Sequence, residues 1–190
     1  MTGLFSLLRG ENAGERRTIN RAPSEVLSLM VPWLSVLVAS LTALLPFIPS
    51  ALIAPPVGFI VFIAWRILRP GLFPVWAGFP LGLFDDLFSG QPFGSGALLW
   101  SLAMIVVEMS DSRVRSPGFI FDWLLGTALV LVYLLAGLAL ANLGGGSTPL
   151  AILLPQAVVS VLSVPLLTRL VVWLDRMRLT PLSLPSLTTP

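Results

Sequence analysis

The stretch GLFDDLFSGQPFG, residues 82–94, places two adjacent carboxylates, Asp85 and Asp86, within a run of Leu, Phe and Gly. Gly82 lies four residues before Asp86 and therefore on the same face of a helix, where the missing side chain lets a second backbone approach the carboxylate. Gly90 then supplies the positive φ that a tight turn requires. The stretch predicts a hairpin of two helices, with an acid anchored beneath a rigid turn.

We predict an all-α integral membrane protein, because the composition indicates a membrane protein and the long apolar runs indicate helices. Of its 190 residues, 56% are hydrophobic and only 11% are charged, and the mean hydropathy is +0.94. A soluble domain carries about 25% charged residues, so this chain lacks the side chains to cover a surface that faces water. All 11 basic residues are Arg, and we interpret them as determinants of membrane topology rather than as a surface for nucleic acid.

The absence of His, Cys and Lys excludes most catalytic and metal-binding chemistry. The chain has no thiolate or imidazole ligand for a metal, no Cys nucleophile and no Ser-His or Ser-Lys pair. Paired Asp residues can coordinate Mg²⁺, but such a site needs further carboxylates. The acids at Glu108, Asp111, Asp122 and Asp175 are expected across the membrane from the pair. We therefore predict no catalysis, no cofactor and no metal site.

Apolar runs and their breakers divide the chain into six segments. They cover about 27–48, 52–68, 72–88, 93–109, 119–143 and 149–173. A transmembrane helix needs about 20 residues, so the second, third and fourth segments are only marginally long enough to span. We predict a cytoplasmic N-terminal segment over 1–25, a six-helix membrane domain over 26–178 and a disordered cytoplasmic tail over 179–190.

The positions of the arginines set the predicted orientation. With six spans, all of them fall on one side of the membrane, at Arg9, Arg16, Arg17, Arg21, Arg66, Arg69, Arg113, Arg115, Arg169, Arg176 and Arg178. The positive-inside rule makes this side the cytoplasm, with both termini inside. The two acids of the opening stretch then lie at the outer end of the third span.

The two acids are given different interpretations. Asp86, within its glycine frame, is expected to fix the hairpin, either by capping the fourth helix or by accepting a hydrogen bond from a partner. Ser89 is an alternative cap. For Asp85 the simplest interpretation is a solvated acid at the membrane interface. The six Trp residues fall mostly near the ends of the predicted spans, which is typical of an interfacial aromatic belt.

Residues 54–100, APPVGFIVFIAWRILRPGLFPVWAGFPLGLFDDLFSGQPFGSGALLW, resemble the MreD family of rod shape-determining membrane proteins. The resemblance is carried by a proline-led second helix, a short Arg- and Pro-containing loop and a Gly-x-x-x-Asp-x-x-x-Gly block. The block and the residues after it are Gly82, Asp86, Gly90, Pro92 and Gly94. Members of the family often carry an acid after the proline that opens the second helix, and here Val57 follows Pro56. Asp85 stands where the family usually has an apolar residue.

The resemblance implies a non-enzymatic scaffold in the bacterial inner membrane, with both termini in the cytoplasm. Its partner would be MreC, within the cell-elongation machinery that maintains rod shape and inserts side-wall peptidoglycan. That machinery includes MreB, a RodA-type glycosyltransferase and its transpeptidase. The family is also similar in architecture to the six-helix substrate-binding subunits of vitamin transporters, so a small-molecule binding subunit is the alternative. We expect loss of Asp86 to weaken the association with MreC, and loss of Asp85 to weaken it much less.

Overall fold

A computed structural model describes residues 25–44, 54–111 and 118–179. Within these residues it contains six α-helices and no strand, which confirms the all-α class. The helices are α1 Glu25–Ser40, α2 Val57–Leu68, α3 Gly78–Ser89, α4 Ser95–Asp111, α5 Phe119–Leu143 and α6 Leu153–Leu179. Most of the predicted terminal segments and the arginines at 9, 16, 17, 21, 113 and 115 lie outside the described residues.

The helix ends follow the local sequence where a breaker sets them. Helix α2 begins at Val57 because Pro55 and Pro56 precede it, and proline is favoured just before or at the first turn. Helix α3 ends at Gly90, which has φ 68° and ψ 10° in the left-handed region. Helix α5 has the predicted bounds, whereas α6 continues past residue 173 to Leu179.

Two helical segments are long and apolar enough to cross a membrane, namely Ile120–Leu143 and Leu150–Arg178. Leu29–Leu44, Val57–Leu68 and Ser95–Ser110 are apolar but shorter. Helix α3 has 12 residues and so rises about 18 Å, against a hydrocarbon core of about 30 Å. A topology of six complete spans therefore stays a prediction.

Helix α2 is the centre of the bundle. Every residue from Gly58 to Arg66 is buried, and α1, α4, α5 and α6 all contact the helix. A helix that is apolar on all sides needs such an enclosed position. Aromatic rings fix its neighbours: Phe59 stacks on Tyr133 of α5 with ring centroids 4.3 Å apart, and Phe62 stacks on Trp100 of α4 at 5.0 Å.

The assignment of all six Trp residues to an interfacial belt is wrong for two of them. Trp65 and Trp100 have no exposed surface and belong to the core. The indole N–H of Trp65 donates to Ser35 Oγ at 2.8 Å, which gives the buried indole the hydrogen bond that it requires. The sequence places Trp65 near the end of one predicted span and Trp100 at the middle of another, but it does not reveal that α2 is surrounded by other helices.

Ion pairs join the helices at the end of the bundle where α2 and α6 end. Asp175 of α6 accepts from Arg69, which follows α2, at 2.7 Å, and from Arg178, one turn further on, at 2.7 Å. Arg66 pairs with Glu108 of α4. The guanidinium of Arg178 also lies 5.2 Å from the ring centroid of Trp65. These arginines therefore have two roles. They hold helices together, and their positive charges are the basis for the predicted orientation of the protein in the membrane.

We expect Asp175→Ala to destabilise the protein by about 3 kcal/mol, because breaking a buried ion pair leaves the other charge uncompensated. The Asp175 side chain is 8% exposed and that of Arg178 is 7% exposed, whereas Arg69 is 47% exposed. Arg69→Ala should therefore cost much less than Asp175→Ala. Thermal unfolding of the detergent-purified variants measures the difference, and equal losses would contradict the importance of the buried Arg178.

Candidate functional site

The carboxylate of Asp86 accepts three backbone hydrogen bonds from the start of α4. Gly94 N–H donates to Oδ2 at 2.9 Å, Gly96 N–H to Oδ1 at 2.7 Å and Ala97 N–H to Oδ2 at 3.2 Å. The first N–H groups of a helix have no partner within the helix, and a carboxylate there also faces the positive end of the helix dipole. Asp86 is therefore a cap of α4, which is one of the two roles expected for it.

The capping carboxylate belongs to α3, whereas the cap of a helix is usually the residue directly before its first turn. Asp86 lies near the end of α3 and is 6% exposed, so its bonds cross from one helix to the next. Gly94 makes the geometry possible, since its φ of 91° lies in the left-handed region that favours glycine. The cap consequently ties α3 to α4 as well as satisfying the end of α4.

Two glycines on one face of α3 bring it into backbone contact with α4. A Cβ at Gly82 would lie 2.5 Å from the carbonyl oxygen of Gly96, and a Cβ at Gly78 would lie 2.8 Å from that of Trp100. Gly96 is constrained from the other side, because a Cβ there would lie 2.6 Å from Asp86 Oδ1. The close approach that the sequence predicts at Gly82 is confirmed, and Gly78 extends it by one turn.

The tip of the hairpin is a tight turn with an apolar surface. Gly90 ends α3 in the left-handed conformation, and the carbonyl of Pro92 accepts from Ser95 N–H at 3.0 Å. The two large apolar side chains beside this turn point outward, with Phe93 71% exposed and Leu87 61% exposed. The predicted motif residues Gly82, Asp86, Gly90, Pro92 and Gly94 therefore lie together in one structural unit, whose outer edge is Leu87 and Phe93.

Asp85 does not lie at a wet interface, and that interpretation is wrong. Its side chain turns into the bundle, where the residue is 8% exposed. A Cβ at Gly58 of α2 would lie 3.0 Å from Asp85 Oδ1 and would overlap the hydroxyl of Ser40 at the end of α1. Asp85 thus sits with Ser40 where α1, α2 and α3 meet. Adjacent residues on a helix point about 100° apart, which sends the two acids to different neighbours.

Ser40 and Gly58 also belong to this region, although neither was predicted from the sequence. Gly58 stands near the start of the apolar run of α2, where a glycine costs about 1 kcal/mol relative to alanine, and that cost is a signal of close packing. Among the described residues, no three acidic side chains come together as ligands for a metal ion. What the site does is to hold α3, α4 and the outer turn in one fixed arrangement.

A model of a known protein family matches the chain. The family model described as rod shape-determining protein MreD matches residues 24–174, which is most of the chain. The matched range includes α3, α4 and the capped turn between them. No curated protein and no solved structure matches the chain.

Proposed function

The chain belongs to the MreD family of rod shape-determining proteins, and from this premise we propose that it is a non-enzymatic scaffold that binds MreC in the bacterial inner membrane. Membership of the family implies a role in determining rod shape. The family is one of membrane proteins and of structural components rather than enzymes. The proposal adds a partner, a binding surface and an orientation in the membrane.

The observation that carries the proposal is the hairpin of α3 and α4. The Asp86 cap and the contact at Gly82 hold two helices in a fixed arrangement, and the turn between them exposes Phe93 and Leu87. Exposed aromatic and aliphatic anchors on a rigid support are the features of a protein interface that give affinity at low entropic cost. We assign this tip to the contact with the periplasmic region of MreC.

The outward face of α4 continues the proposed surface into the membrane. Its exposed large residues recur at helical spacing. They are Leu98, Leu102, Ile105, Val106 and Met109. This stripe suits the single membrane helix of MreC, because helices in a bilayer associate through van der Waals packing along such faces.

The proposed orientation has several spans with both termini in the cytoplasm, so that the tip of the hairpin faces the periplasm. All 11 arginines fall on the cytoplasmic side in that arrangement. Through MreC, the chain would join the machinery of side-wall peptidoglycan synthesis, which includes MreB, a RodA-type glycosyltransferase and its transpeptidase.

We expect the double variant Leu87→Ala/Phe93→Ala to recover at least tenfold less MreC in co-purification, because truncating two interface anchors costs about 1 kcal/mol or more for each and about 1.4 kcal/mol is a factor of ten. Both side chains are exposed, so the thermal unfolding of the protein alone should not change. Ile120→Ala is the matched control, since Ile120 is 70% exposed at the start of α5, at the end of the bundle opposite the hairpin tip. Equal recovery of MreC by all three proteins would contradict the assigned surface.

A small-molecule binding subunit remains the second candidate because of one cavity. It has a volume of about 290 Å³, and its polar lining residues are Ser89, Gln91, Thr148 and Gln156. This volume lies at the lower limit of ligand pockets, which span about 300–1,000 Å³. The amide of Gln156 already donates to the carbonyl of Ala54 at 2.8 Å, which reduces what it offers a ligand.

Native mass spectrometry of the protein purified from its own cells distinguishes the two candidates. Retention of MreC supports the scaffold, and retention of a vitamin-sized ligand in its place would overturn it. A Gln156→Leu variant adds a check, because it changes the cavity wall from α6, outside the hairpin and its tip. Loss of a bound small molecule in that variant would assign the ligand to this cavity.

A further inference from the structure

A second cavity lies at the opposite end of the bundle from the hairpin tip. It has a volume of about 390 Å³ and runs between α5 and α6, with α2 as its floor. Its interior is apolar, with Ile63 and Ile67 from α2, Val130 from α5 and Val164 from α6. Gly126 keeps it open, because the nearest side-chain atoms to a Cβ built there are 3.7 Å away on Ile67 and Val164.

The groove has the length of one bilayer leaflet. On α5 its lining extends from Val130 to Asp122, a distance of about 12 Å along the helix axis. The hydrocarbon core of a bilayer is about 30 Å thick, so a leaflet contributes about 15 Å. Trp123 and Trp173 line the charged end and are 37% and 55% exposed, which is typical of rings at the level of the headgroups.

The charged end of the groove carries two arginines. Arg169 and Arg176 both line the groove from one face of α6, and both are exposed. Among the described residues neither takes part in an ion pair, in contrast to Arg66, Arg69 and Arg178. Asp122 also lines this end, so the charged side chains among the described lining residues are two Arg and one Asp.

Arg169 needs a partner because of its depth. Arg169 lies seven residues before Arg176 in α6. Arg169 is therefore about 10 Å deeper in the groove than Arg176, measured from the charged end. An uncompensated arginine in a membrane segment is unfavourable, and its long side chain reduces this cost by reaching toward phosphate. A phosphate diester at the mouth of the groove would satisfy both guanidinium groups through charge-assisted hydrogen bonds.

We propose that this groove binds an anionic phospholipid, with one acyl chain between α5 and α6 and the phosphate held by Arg169 and Arg176. The apolar interior, the unpaired cations at one end and the length of a leaflet all match the chemistry of that lipid. Basic pockets between membrane helices on the cytoplasmic side are suited to anionic headgroups. This site is separate from the hairpin surface proposed for MreC, and neither proposal depends on the other.

The test is native mass spectrometry of the full chain in detergent with equal amounts of phosphatidylglycerol and phosphatidylcholine of the same acyl chains. We expect the protein to retain phosphatidylglycerol about thirtyfold more, since each arginine near an anionic group contributes about 1 kcal/mol and about 1.4 kcal/mol is a factor of ten. Arg169→Gln/Arg176→Gln should abolish this preference. Gly126→Leu should reduce the retention of both lipids by filling the groove.

Arg16→Gln/Arg17→Gln is the control, because it removes the same charge from elsewhere in the chain and should keep the preference. Equal retention of the two lipids by the unaltered protein would overturn the proposal. So would a preference that survives in Arg169→Gln/Arg176→Gln, or one lost equally in the control. Thermal unfolding verifies that each variant is folded. If Gly126→Leu does not fold, the comparison of Arg169→Gln/Arg176→Gln with its control still tests the proposal, because both arginines are exposed.

Discussion

Replacing Asp86 with alanine is expected to remove about 4 kcal/mol of stability and to abolish the recovery of MreC. Hydrogen bonds to a charged group contribute about 1.5–3 kcal/mol each and do not add fully, and Asp86 accepts three of them from the start of α4. The variant leaves buried N–H groups of Gly96 and Ala97 without an acceptor. Thermal unfolding in detergent and co-purification with MreC measure the two effects.

Two variants make this expectation specific to the cap. Asp86→Asn keeps one acceptor oxygen and the volume of the side chain, so it should lose about half as much stability as Asp86→Ala. Asp85→Ala also removes a buried acid, but among the described residues no backbone N–H is bonded to Asp85, and its loss should cost about 1 kcal/mol. Equal losses for Asp85→Ala and Asp86→Ala, in stability and in MreC recovery, would contradict the role given to Asp86.

Gly82→Ala is expected to destabilise the protein by about 2 kcal/mol, although alanine is the better helix former. In an unobstructed helix this change gains up to about 1 kcal/mol. Here the added Cβ would lie 2.5 Å from the carbonyl oxygen of Gly96, and that atom belongs to a backbone whose position the Asp86 cap fixes. Helices α3 and α4 would have to separate, and overpacking of this kind costs about 1–3 kcal/mol.

Gly137→Ala is the matched control for Gly82→Ala. Gly137 lies within α5, and the nearest atom to an added Cβ is Gln91 Oε1 at 3.5 Å, an ordinary contact. This variant should be neutral or slightly stabilised through its higher helix propensity. Both variants are compared by their thermal unfolding. A stabilised Gly82→Ala would show that α3 and α4 are not in backbone contact.

Features that depend on neighbours in the chain were predictable from the sequence. The all-helical class follows from the long continuous apolar runs, because runs of this length are typical of helices and strands are shorter. The start of α2 after Pro55 and Pro56 and the end of α3 at Gly90 follow from backbone conformations that those residues impose. The Asp86 cap is also predictable, because helix, turn and carboxylate occur within twelve residues of one another.

Features that depend on which helices pack together were decided by the tertiary structure alone. Arg69 and Asp175 are 106 residues apart in sequence and form an ion pair, and no local pattern links them. The burial of Asp85 follows from its position opposite Gly58 and Ser40, which belong to other helices. In a chain this apolar nearly every helix face is suitable for burial. The sequence by itself therefore determined that helices form and where several of them end, whereas the packing decided which side chains face each other, the surrounding lipid or the groove between α5 and α6.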